Sequence, residues 1–187
     1  MQHADERGSF LEWYRFDVLE EAVGHSLTLR QANQSVSKRG VVRGIHYADT
    51  PTGQAKYVTT ARGAVLDFIV DLRVDSSTFG QWDSVLLDDQ TRGAVYLAEG
   101  LGHAFVALTD DATVSYLVSD TFNPEHEHGI NPLDPDIALV FPSDIGELIL
   151  SPRDSGAASL KSARDAGALP DYGEVSAFYQ SLMTRKT

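Results

Sequence analysis

The chain has no cysteine among its 187 residues, which removes disulfides, thiolate metal sites and a cysteine nucleophile together. Positive charge is scarce: 15 Lys and Arg stand against 27 Asp and Glu, for a net charge of −12. No basic run offsets that excess, which argues against general binding to nucleic acid or to an anionic membrane surface. A local basic pocket for one phosphorylated ligand remains open. No apolar run approaches the roughly 20 residues that a membrane span needs, and residues 1–15 carry no signal-peptide pattern. A soluble cytoplasmic protein is expected. With 42% hydrophobic residues the chain can bury one sizeable core, so a single domain over 1–187 is the default.

Helical patterns are confined to the margins. Phe16–Val23 suits a short helix. Near the C-terminus Val175, Phe178, Tyr179, Leu182 and Met183 follow the i, i+3, i+4, i+7, i+8 spacing of an amphipathic helix, within a helical segment of about 159–187. Between these margins lie short β-branched runs: Ala55–Ala61, Ala64–Leu72, Ser84–Leu87, Ala94–Leu97, His103–Leu108 and Thr113–Ser119. Turn formers such as Arg62-Gly63, Asp75-Ser76-Ser77 and Glu99-Gly100-Leu101-Gly102 separate them. Closely spaced strands with no helices between them predict an all-β sandwich or barrel with peripheral helices.

Some strand candidates carry unexpected polar residues. Arg30-Gln31-Ala32-Asn33-Gln34-Ser35 is too polar for a core strand. As a strand it sets Gln31, Asn33 and Ser35 on one face, either as a solvated edge or as the wall of a wet barrel interior. His103 and Tyr116 also sit in apolar runs, where each needs a partner if buried.

The densest chemical signal is Arg43-Gly44-Ile45-His46-Tyr47, with Lys56 ten residues after the histidine in Gln54-Ala55-Lys56. His46 supplies a base that titrates near neutral pH, and Lys56 a compact charge able to stabilise an anion. Proton abstraction beside a carbonyl requires that combination. Either residue alone has an ordinary structural explanation.

Taken with these, several segments carry a resemblance that runs in order along nearly the whole chain. They are Asp5-Glu6-Arg7-Gly8, the two segments around His46 and Lys56, Ser77–Trp82, Glu99–Phe105, Asn123–Gly129, Asp134-Pro135-Asp136 and Ser151-Pro152-Arg153-Asp154. In them the chain resembles the dTDP-4-dehydrorhamnose 3,5-epimerase family of deoxysugar biosynthesis. The resemblance implies a cupin-like jelly-roll β-barrel, a homodimer, and catalysis without a metal or other cofactor on a dTDP-4-keto-6-deoxyhexose. The His-x-His…Glu pattern of metal-binding cupins is missing around His46, and a single imidazole is a weak metal site.

The resemblance also implies roles. His46 would remove a proton next to the C4 ketone, with Asp154 orienting its ring; Lys56 would stabilise the enolate oxygen, and Tyr116 would return a proton to the opposite face. Arg43 would hold a diphosphate oxygen. Gln31, Asn33, His103, Glu127 and Arg153 would line the nucleotide–sugar cleft, and Arg7, Phe10 and Glu12 would reach the nucleotide, in the family often across the dimer.

Two departures qualify the match. Relatives usually begin with a further strand ahead of the Asp-x-Arg-Gly segment, and this chain starts only four residues before it. Either that start is trimmed or the strand is missing, which would leave its neighbour with a bare edge. Phe122 stands where many relatives carry a second tyrosine, which opens the question of whether C3, C5 or both are inverted. A 3- or 5-monoepimerase, a sugar-nucleotide 3,4-ketoisomerase and a non-catalytic nucleotide-sugar binding protein are the alternative readings of the same barrel.

Overall fold

The apolar run from Ala64 to Leu72 shows no alternation because its sheet is covered on both faces. The structure, a computed structural model, describes residues 2–184. After a hairpin of β1 (Gln2–Asp5) and β2 (Gly8–Leu11), α1 (Phe16–Val23) leads into β3 (Gln31–Ser37), β4 (Val42–Ala48), β5 (Lys56–Arg62) and β6 (Ala64–Asp71). Then follow β7 (Trp82–Asp88), β8 (Ala94–Leu97), β9 (Leu101–Ala107), β10 (Ala112–Val118) and β11 (Glu127–Gly129). Three helices close the chain: α2 (Pro152–Ser155), α3 (Leu160–Asp165) and α4 (Tyr172–Thr184).

The strands form two main antiparallel sheets. One has the order β3-β10-β5-β8 and the other β11-β4-β9-β6-β7. Between them lies a core of Val58, Val65, Leu87, Leu97, Phe105, Ala107 and Val114. The outer face of the five-stranded sheet packs Ile45, Phe68, Val70, Ala104 and Val106 under Ile130, Ile137, Leu139 and α3. Truncating the fully buried Phe68 to alanine would cost about 3–5 kcal/mol. The outer face of the four-stranded sheet is covered by α1, where Leu19 and Leu27 meet Leu117, Tyr57 and Tyr96. A sheet buried on both faces reads as a continuous apolar run.

This is the all-β architecture of two facing sheets with peripheral helices that the strand pattern predicts, and α1 has the expected bounds. The polar run is indeed a strand, β3, with Gln31, Asn33 and Ser35 turned inward and Ala32 and Gln34 exposed. No described helix is long and apolar enough to cross a membrane. The helical segment anticipated over 159–187 resolves into α3 and α4; residues 185–187, like Met1, lie outside the described part.

Gln2–Asp5 forms β1, which pairs with β2 from Gln2↔Leu11 to Asp5↔Gly8. The turn between them is held by Asp5, whose carboxylate accepts the Arg7 backbone N–H at 2.8 Å. The edge of β2 is therefore not bare on that side.

Candidate active site

Arg43 and His46 lie three residues apart on β4, a spacing that sends side chains to opposite faces of a regular strand. Here β4 gains one residue against β9: Arg43 pairs with Phe105 and His46 with His103. Since Phe105 and His103 share a face of β9, the bulge turns Arg43 and His46 to that same inner face. Gly44 makes this feasible. It has φ +117°, and a Cβ there would lie 2.4 Å from the His103 carbonyl oxygen and 2.6 Å from Ala104 Cα.

His46 is completed by a residue 108 positions away. Its Nε2 lies 2.7 Å from Asp154 Oδ1. Asp154 sits on the one-turn helix α2, begun by Pro152 at its first position and capped by Ser151, whose hydroxyl oxygen accepts the Asp154 backbone N–H at 3.0 Å. Because Ser151 does the capping, the Asp154 carboxylate is left to reach the imidazole. Burial pushes that carboxyl up, but the His46 bond and charge, the Ser151 hydroxyl and the Gly44 amide outweigh it and hold the group below the usual carboxylate range. With Nε2 engaged, Nδ1 is the ring nitrogen left for other partners.

The four-stranded sheet supplies the opposite wall. Tyr116 on β10 pairs with Asn33 on β3 and Val58 on β5, and Val118 pairs with Gln31 and Lys56. Gln31, Asn33, Lys56 and Tyr116 thus share the face turned to the other sheet. Together with His46, Phe122, Glu127 and Gln54 they line a cavity of about 260 Å³. A neighbouring cavity of about 330 Å³ is lined by Arg43, His46, Arg153 and Asp154. His46 belongs to both, so the imidazole stands where the two cavities meet.

The electrostatics around Lys56 are unusual. Burial pushes its ammonium pKa down, opposed in part by the negative charges of Glu127 and Asp67. Glu127 accepts a bond from Gln54 Nε2 at 3.2 Å. Burial raises the Tyr116 phenol, as does the charge of Glu127, while Arg43 and Asn33 pull it back. Arg43 Nε donates to Ser37 Oγ at 3.1 Å, and Arg153 donates to the Glu127 carbonyl at 3.0 Å.

Four of the expected site residues lie outside both cavities. His103 does not line either cavity: its Nε2 lies 2.7 Å from Asp67 Oδ2 and its ring is nearly closed off beneath the site. Arg7, Phe10 and Glu12 lie on or just after the exposed β1–β2 hairpin, outside both cavities. Arg7 is occupied with Asp5 there, and Phe10 is 67% exposed. Two residues were overlooked. Gln54 is a lining residue, and the fully buried Asp67 holds His103 and helps to keep Lys56 charged. A carboxylate inside the apolar run of β6 was the signal for the latter.

Comparison with known proteins bears on this geometry directly. Residues 1–162 match the family model for dTDP-4-dehydrorhamnose 3,5-epimerase. The chain belongs to the dTDP-4-dehydrorhamnose 3,5-epimerase family. It is 58% identical to a dTDP-4-dehydrorhamnose 3-epimerase of Streptomyces niveus, over 91% of this chain and 82% of the relative. A dTDP-4-dehydrorhamnose 3,5-epimerase of Mycolicibacterium smegmatis is 52% identical, over 95% of this chain and 87% of its own. Among solved structures, a 3'-monoepimerase from Streptomyces bikiniensis in complex with dTDP-quinovose superposes with a TM-score of 0.95. It is 46% identical, over 99% of this chain and 93% of its own. The epimerase family thus includes relatives named for inversion at one centre and at two.

Proposed function

We propose that the protein epimerises a dTDP-4-keto-6-deoxyhexose at C3, C5 or both, by removing a proton next to the C4 ketone and returning one to the opposite face. The observation that carries this reading is the opposition of His46 and Tyr116, which come from facing sheets onto one cavity. Inversion needs a base and an acid on opposite sides of one carbon, and two walls of a sandwich supply them.

In the proposed reaction His46 Nδ1 takes the proton from carbon and the electron pair of that C–H bond moves into the C4 carbonyl, forming an enolate. Asp154 keeps the ring in place and stabilises the imidazolium. Lys56 lies on the same wall as Tyr116 and balances the charge on the enolate oxygen. The enolate collapses as Tyr116 donates its phenolic proton to the other face of the carbon. The phenolate and imidazolium then exchange protons with water. Arg43 and Arg153, in the adjoining cavity, suit the diphosphate, where guanidinium forks bind well.

A binding protein would have no use for a His–Asp pair opposed by a buried phenol. A 3,4-ketoisomerase shifts the carbonyl between C3 and C4 and leaves the C5 proton untouched. The narrower reading, a 3-epimerase, draws on the 58% identical relative of that name and on Phe122, which lines the cavity without a hydroxyl. NMR of the product formed from dTDP-4-keto-6-deoxyglucose tests the proposal: a sugar inverted at C3, C5 or both supports it, and a 3-keto product refutes it.

We also propose a homodimer. In one chain Arg7, Phe10 and Glu12 lie outside the cavities, and Phe10 and Phe16 are each about two-thirds exposed. A second copy would cover these rings and let the hairpin reach a neighbouring cleft. Sedimentation should show a dimer at micromolar concentration; an active monomer would contradict this.

A further inference from the structure

The residue before Lys56 is anchored by a relay of side chains that ends on the C-terminal helix. The Ala55 backbone N–H donates to Ser119 Oγ at 2.8 Å, and the Ser119 N–H returns a bond to the Ala55 carbonyl at 3.1 Å. The Ser119 hydroxyl donates in turn to Glu99 Oε1 at 3.4 Å. Glu99 Oε2 accepts from the Tyr179 hydroxyl of α4, whose oxygen accepts the Glu99 backbone N–H at 2.8 Å. Every hydroxyl donates once and accepts once, so the relay is satisfied along its length.

Its position is informative. Lys56 pairs with Val118 on β10 and Leu97 on β8, and the relay residues Ser119 and Glu99 come just after those partners. The loop leading to Lys56 also rests on Glu99: a Cβ on Gly53 would lie 2.7 Å from Glu99 Cβ. Glu99 is only 4% exposed. A carboxylate buried there is an expensive way to hold a loop, since apolar packing of equal volume usually serves stability as well or better. What the polar relay adds is directional anchoring of one backbone amide beside a long, flexible cationic side chain.

We infer that Glu99 and Tyr179 are positioning residues of the active site, which fix the start of β5 and with it the ammonium of Lys56, and so make the C-terminal helix a working part of that site. This rests on the reading of Lys56 as the group that stabilises the enolate. Displacing a catalytic group by about 1 Å can cost as much as 100-fold in rate, so a relay through the amide next to Lys56 has leverage on turnover.

The test is lysine NMR. The chain has four lysines, so protein labelled with ¹³C at lysine Cε gives a simple spectrum, with the Lys56 signal assigned from Lys56→Arg. In the native protein that signal should titrate below the ordinary lysine range. In Tyr179→Phe, and separately in Ser119→Ala, the midpoint should move towards the ordinary value as water reaches the loosened ammonium. In both, kcat should fall on the order of tenfold while KM changes by less than about twofold. Leu160→Ala, a cavity variant in α3 outside the relay, should lower Tm and leave the Lys56 titration where it is. Native titration of Lys56 in both relay variants would overturn the inference, as would an equal displacement in Leu160→Ala. If Lys56→Met keeps its turnover, the catalytic reading of Lys56 fails, and the titration still reports whether the relay places it.

Discussion

His46 Nε2 and Asp154 Oδ1 are 2.7 Å apart although 108 residues separate them in the chain. One comes from a bulged strand and the other from a single helical turn with its own serine cap. Neither element alone sets the contact; the C-terminal segment has to pack across the outer face of the five-stranded sheet to deliver Asp154.

The bulge makes a strong demand on Gly44. At φ +117° any side chain is strained, and the nearest obstacles are backbone atoms of β9 that cannot rotate away. Gly44→Ala should destabilise the fold by more than about 3 kcal/mol or turn His46 out of the cavity. Denaturant unfolding together with activity checks this; a stable, fully active Gly44→Ala protein would show that the register shift is dispensable.

The His46–Asp154 pair also makes a pH prediction. Burial alone would raise the Asp154 carboxyl, and contact with His46 is the first of the groups that reverse it. A carboxyl lowered in the folded state contributes stability above its ordinary value of about 3.9, and that contribution fades as pH falls through the lower folded value. In His46→Ala the burial remains and the main opposing contact is gone, so the Asp154 pKa rises. Acid unfolding should then begin at higher pH than in the native protein. Superimposable acid-unfolding curves would count against the pair.

Much of the barrel was legible because strands buried on one face alternate and strands buried on both run apolar. β8 and α1 have the anticipated bounds, and β5, β6, β9 and β10 differ from expectation by one or two residues. β1, β2 and β11 were harder because none of them contains a buried residue, so they lack the apolar pattern that marks the similarly short β8. The candidate site divides in the same way. His46 and Lys56 announce themselves by residue type, and Asp154 and Tyr116 became readable only through family resemblance. The inward turn of Arg43 depends on a register shift between β4 and β9, which no local pattern encodes. Asp67 sits inside an apolar strand, and only the structure shows it to be the partner of His103.

Phe122 bears on which centre is inverted. It lines the cavity that His46 and Tyr116 share, and its backbone N–H is held by Gln31 Oε1 at 3.0 Å. Phenylalanine fills space there but cannot donate a proton or a hydrogen bond. Phe122→Tyr should change the ratio of deuterium entry at C3 to that at C5. Identical ratios in the two proteins would mean that position 122 only packs.

The central claim is that His46 abstracts a proton next to the C4 ketone. Its most direct test is to incubate dTDP-4-keto-6-deoxyglucose with the protein in deuterated water and to follow C3 and C5 by NMR. The account predicts deuterium at C3, C5 or both with the native protein and none above background with His46→Ala, while Asp154→Asn exchanges roughly 10²–10⁴ times more slowly. Exchange at the native rate in His46→Ala, or no exchange at either carbon in the native protein, would contradict it.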